Sequence, residues 1–226
     1  MGISVAVGLI CILSLPGIAL AIPPNVQDGN FTSSWAFDVL KEDPAQCTAR
    51  FTHHSTGGNP DSCMEIATVT GSSTRVWALM WKTDYSWDPA TDGSICYLRM
   101  EIDEKAIWSF GNGQNIKILV VQDGNYYGAT FDPWPTNGGT GTTWETVSIG
   151  PAYVDNFFKV PPWPYDLDSK PDFSPSGGPM HFGFMVGNTS TQDTVFHCYD
   201  NWKIWIHLPP SAVEPATWGG IKALYR

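Results

Sequence analysis

The sequence predicts an all-β protein built as a two-sheet antiparallel β-sandwich with long Gly/Pro-rich loops. Three observations carry this expectation. Apolar and polar side chains alternate with a period of two, Gly/Asn/Asp turn signals punctuate the alternating segments, and no stretch of ten or more residues joins a helical apolar stripe to start and stop caps.

Residues 47–51 put Cys47, Ala49 and Phe51 on one face and Thr48 and Arg50 on the other, the pattern of a half-buried strand. Residues 95–102 repeat it, with Cys96, Leu98, Met100 and Ile102 opposed to Tyr97, Arg99 and Glu101. Residues 76–81 and 116–121 are continuous apolar runs of strand length, as expected of central strands. Residues 181–186 and 195–206 complete the set, and the length of the last predicts a bulge near Asp200-Asn201 or a pair of short strands. Asp28-Gly29, Gly57-Gly58, Asp92-Gly93, Asp123-Gly124 and Gly177-Gly178 mark turns between the runs.

Residues 5–20 are apolar, too short and too Gly/Pro-broken to span a bilayer, and lead into Ala19-Leu20-Ala21, so residues 1–21 are expected to be a signal peptide. A single sandwich domain over 22–208 and a tail over 209–226 follow. The net charge of −10 and the lack of a basic stripe exclude a nucleic-acid partner. Beyond the signal segment no run approaches a transmembrane span. A secreted or cell-surface location is therefore expected, and the four remaining cysteines, Cys47, Cys63, Cys96 and Cys198, are expected to oxidise in pairs. Three connectivities are open; we favour Cys47 with Cys63, closing a short loop, and Cys96 with Cys198, joining two strands.

Gln27-Asp28-Gly29-Asn30-Phe31 and Cys198-Tyr199-Asp200-Asn201-Trp202-Lys203-Ile204 resemble the opening and closing strands of carbohydrate-binding modules with a galactose-binding-like jelly roll. Gly58-Asn59-Pro60, the segment 85–93, Pro171-Asp172-Phe173-Ser174 and His181-Phe182-Gly183-Phe184 resemble bacterial secreted laminin/concanavalin-like domains. Both resemblances imply a jelly-roll sandwich, and the first implies that the terminal strands lie together.

Aromatic rings suit sugar binding because their faces stack on the apolar C–H face of a pyranose. Trp77, Trp81, Trp202 and Trp205 fall inside strands and read as core or sheet surface, whereas Trp87, Tyr126, Tyr127, Trp134 and Trp163 fall in or beside loops and are the candidate ligand residues. Calcium is the expected ion, a structural tie between the terminal strands held by Asp28 and Asp200. No catalytic residue is expected. Glu101-Ile102-Asp103-Glu104-Lys105-Ala106 resembles the laminarinase pattern Glu-x-Asp-x-x-Glu but carries Ala106 where the acid/base would stand. His53, His54, His181, His197 and His207 show no metal or triad spacing. The expected function is that of a secreted noncatalytic carbohydrate-binding, lectin-like module, acting on a glycan or polysaccharide. The alternative is a structural or adhesive domain that contacts an extracellular protein surface.

Overall fold

The computed structural model describes residues 25–32, 34–72, 74–108, 114–129, 143–161, 165–188 and 194–210. The expected signal peptide and nearly all of the expected tail lie outside these residues, as do Trp134 and Trp163.

The strands run β1 (Val26–Asp28), β2 (Trp35–Lys41), β3 (Thr48–His54), β4 (Cys63–Val69), β5 (Val76–Lys82), β6 (Tyr97–Trp108), β7 (Asn115–Gln122), β8 (Asn125–Ala129), β9 (Glu145–Ala152), β10 (Phe157–Val160), β11 (Met180–Asn188) and β12 (Thr194–His207). They form two antiparallel sheets. The first has the order β3-β4-β12-β6-β9, with β1 added beside the second half of β12, and the second has the order β10-β8-β7-β11-β5-β2. This is the jelly-roll sandwich that alternation and resemblance led us to expect. The opening and closing strands do lie together, Asp28 opposite Trp202.

Period-two side chains from both sheets meet in one core. Ile66, Leu98, Met100, Ile102 and Ile204 come from the first sheet and Met80, Ile118, Val120, Phe182 and Phe184 from the second. Trp35 meets Trp202 edge-on at 5.1 Å between ring centroids, which places a large aromatic contact where β2 closes over the core. The long strand β12 is continuous but its pairing with β6 shifts register between Asp200 and Lys203, and Asn201 has φ 49°. A bulge at the expected place is thus built on an asparagine, a residue that tolerates the left-handed region. The Asp123-Gly124 turn joins β7 to β8 with φ 52° and 73°, the two positive values a tight primed hairpin demands.

The expected disulfide pairs do not survive the strand register. Cys63 lies opposite His54, seven positions along from Cys47, which is roughly 23 Å of extended chain. Cys198 lies opposite Lys105, nine positions from Cys96, or roughly 30 Å. A disulfide spans less than about 7 Å between Cα atoms, so neither pair can close. All four described cysteines are thiols here; Cys47 donates to Thr74 Oγ1 at 3.1 Å, while Cys63 and Cys198 meet each other at 2.9 Å. Spacing misled because the loop after β3 folds away from its strand start.

Candidate functional site

The continuous apolar runs are apolar for two reasons: one set of side chains fills the core, and the other lines the outer face of the second sheet. Register places Trp81, Leu79 and Trp77 of β5 beside Gly183, Met185 and Gly187 of β11. The same rows continue through Leu119 and Lys117 on β7, Tyr126 and Gly128 on β8, and Phe158 and Val160 on β10. On β2, Ala36, Asp38 and Leu40 complete the other edge. Three glycines in this face leave room for the rings. A Cβ on Gly187 would sit 2.3 Å from the Trp77 ring, so only glycine lets that indole lie flat across β11.

This face is concave. The Tyr126 hydroxyl on β8 donates to Asp38 Oδ2 on β2 at 2.8 Å. Four strand spacings separate those strands, about 19 Å across a flat sheet, more than a tyrosine and an aspartate can reach between them. The sheet must therefore bow inward. A second bridge crosses the same hollow: Tyr165 packs on Phe158 of β10, centroids 4.6 Å apart, while its hydroxyl accepts from Trp77 Nε1 of β5 at 2.9 Å. Beneath it the Lys117 ammonium lies 5.7 Å from the ring centroids of both Trp77 and Phe158, a cation held against two π faces. Burial lowers the Lys117 amine to about 8.

The two ends of the hollow differ. At the Tyr165 end the floor is closed, with Trp77, Leu79 and Met185 buried. At the other end Trp81, Val121, Tyr126 and His181 are only half-buried, and the Trp81 and Tyr126 rings face each other with centroids 5.5 Å apart at 51°. Burial, aided by the hydrogen bond to Asp38 and the charge of that carboxylate, pushes the Tyr126 hydroxyl up to about 12, so it stays a donor at any physiological pH. Two rings, a phenol donor and a carboxylate acceptor thus line one half-open recess, a set able to stack on a flat apolar face and to exchange hydrogen bonds with hydroxyls.

Of the expected ligand residues only Tyr126 reaches this recess among those described. Tyr127 is its neighbour on β8 and so points to the opposite side, into the core, where it is 8% exposed. Trp87 packs against the core, and its Nε1 donates to Gly93 O at 2.8 Å, which makes it a loop anchor rather than a free platform. Trp134 and Trp163 lie outside the described residues. Sequence reasoning missed Trp81 and Asp38. The signal was the unbroken apolar run in β5, since a central strand buried on one face only would alternate.

Asp28 does not fit a calcium ligand. Its Oδ2 accepts from Lys82 Nζ at 2.8 Å and Trp35 Nε1 at 3.1 Å, and its Oδ1 from the backbone amides of Asn30 and Phe31. The ammonium already supplies the positive charge. Burial raises the Asp28 carboxyl, but these four donors outweigh it and hold the group below its ordinary value. Asp200 is fully buried, accepts from the backbone amides of Asn59 and Asn201, and faces Asp103 across β6. Burial, together with Asp103 and Asp61, pushes its carboxyl up. Among the described residues no cluster of three or more metal-ligating side chains occurs.

The laminarinase-like segment is also spoken for. Glu101 and Asp103 point outward from the first sheet, where Asp103 accepts from Thr146 Oγ1 at 2.6 Å, Asn201 Nδ2 at 2.8 Å and Asn59 Nδ2 at 3.1 Å. Glu104 points the other way, fully buried against His197. A carboxylate saturated by three donors is a poor nucleophile or base.

No family model matches this sequence, and no curated protein matches it. Solved structures similar to the chain include a family 11 carbohydrate-binding module from Clostridium thermocellum in complex with a β-1,3-1,4-mixed-linked tetrasaccharide, at 14% identity over 84% of this chain and 100% of that one, TM-score 0.45. Another is the CBM22-1 xylan-binding domain of Paenibacillus barcinonensis Xyn10C, at 8% identity over 84% of this chain and 100% of that one, TM-score 0.42. Among the described residues no helix is long and apolar enough to cross a membrane.

Proposed function

We propose that this chain is an exported, noncatalytic glycan-binding domain whose ligand enters the concave face of the second sheet. The observation that carries the reading is the half-open recess in which Trp81 and Tyr126 stand 5.5 Å apart with Asp38 behind them. A sugar ring stacked on Trp81 would replace ring hydration with an apolar contact, while its hydroxyls would exchange hydrogen bonds with the Tyr126 hydroxyl and the Asp38 carboxylate. Trp134 and Trp163 follow β8 and β10 in the chain, the two strands of one wall, and remain in the proposal as further contacts.

The test is affinity electrophoresis or calorimetry against a panel that includes mixed-linked β-glucan, xylan and other soluble plant and microbial polysaccharides. At least one should bind, and Trp81→Ala and Tyr126→Ala should each weaken binding about tenfold or more, as loss of an aromatic anchor does. Trp87→Ala and Tyr127→Phe should leave affinity unchanged. Binding that persists at full strength in the Trp81 and Tyr126 variants, or no binding across the panel, overturns the reading.

A further inference from the structure

On the outer side of the first sheet, Cys63 of β4 and Cys198 of β12 face each other, and we propose that they form a disulfide when the protein folds in an oxidising compartment. Cys198 pairs with Glu65, two positions beyond Cys63 on the same strand, so both thiols project from one face as diagonal neighbours. Their Sγ atoms are 2.9 Å apart, and both residues are buried. Reaching the S–S bond length of about 2.0 Å takes under about 1 Å of sulfur movement from this position. The cysteines are 135 positions apart in the chain, so the bond would close most of the domain into one loop and tie β4 to the central strand of its sheet. It would also fix the loop between β3 and β4, which carries Asn59 onto Asp103 and Asp200.

The step is a two-electron oxidation. Each thiol gives up its hydrogen, one S–S bond forms, and the two electrons and two protons reduce a small-molecule disulfide such as oxidised glutathione to two thiols. Thiolate is the attacking species, and burial holds both thiols protonated in the finished fold, with the Asp200 carboxylate adding to the effect at Cys63. The bond therefore forms while the chain is folding and is shielded from exchange afterwards. Cys47 and Cys96 stay as thiols: Cys47 precedes Thr48 of β3, which is level with Thr194 at the start of β12 through Val69 of β4, whereas the Cys96 amide donates to His207 at the end of β12, roughly 40 Å away along the strand.

The experiment is oxidative refolding of the full chain in a glutathione redox buffer, then denaturation in excess alkylating agent and peptide mapping. One cross-linked peptide pair containing Cys63 and Cys198 is expected, two hydrogens lighter than the free peptides, with Cys47 and Cys96 alkylated. A Cys47→Ser/Cys96→Ser protein should give the same cross-link, which separates this pairing from scrambled ones. Alkylation of Cys63 and Cys198 after oxidative refolding, or a bond joining either to Cys47 or Cys96, overturns the proposal.

Discussion

Replacing Lys82 by methionine removes the cation that neutralises Asp28 while keeping most of the side chain's volume. The ammonium lies 2.8 Å from Asp28 Oδ2, 2.6 Å from Ser34 Oγ and 3.1 Å from Asp84 Oδ1, and the paired Lys82 and Asp28 side chains are only 11% and 12% exposed. Asp84, 56% exposed, stays hydrated and contributes little. Asp28 would be left charged and largely out of water; breaking such a pair costs about 3–5 kcal/mol, and the lower end applies because two backbone amides and the Trp35 indole still donate to it. Lys82→Met should thus lose about 3 kcal/mol in urea unfolding with an unchanged slope. Asp28→Asn should lose a comparable amount, and the double variant should be more stable than the sum of the two by about 2 kcal/mol. The Asp28 carboxyl is held below its ordinary value of 3.8, so its contribution is present above that pH and fades as pH falls through the lowered value. Because an ammonium occupies the place expected for calcium, excess chelator should leave Tm unchanged. Strict additivity of the two substitutions, a Lys82→Met loss under about 1 kcal/mol, or a Tm that drops with chelator would refute the reasoning.

Two further outcomes follow from buried contacts. Burial raises the Glu104 carboxyl against the opposing hydrogen bond and charge of His197, and a carboxyl raised on folding favours the native state at low pH and loses that advantage as pH climbs from 4.5 toward the raised value. Glu104→Gln should therefore flatten the fall in stability over that window in a pH series of urea melts; an unchanged pH profile would remove Glu104 from the account. Gly187→Ala would drive a methyl into the Trp77 ring at 2.3 Å. It should cost about 1–3 kcal/mol, as overpacking does, and release the Trp77–Tyr165 hydrogen bond, read as a shift in tryptophan fluorescence; a neutral effect on both would show that the indole moves freely.

The sandwich was legible because its cause is local. Alternation in β3 and β6, the glycine turns and the asparagine bulge of β12 each follow from where a side chain must point or which backbone angle a residue tolerates. The strands β2, β4, β8, β9 and β10 escaped notice because proline, glycine or charged residues interrupt their pattern. The site was legible only in its chemistry. Aromatic abundance pointed to a ring-lined surface, but Tyr126 and Tyr127 look alike in sequence, and the pleat alone sends one outward and the other into the core.

Composition and periodicity by themselves determined the layer class and set the expectations of export and of no nucleic-acid partner, since charge sum, run length and alternation do not depend on which segments meet. Register and curvature were decided in three dimensions. Only the strand order sets Cys63 against Cys198, seats Lys82 on Asp28, and bows five strands until Tyr126 reaches Asp38, because each contact joins residues dozens of positions apart whose meeting no local rule encodes.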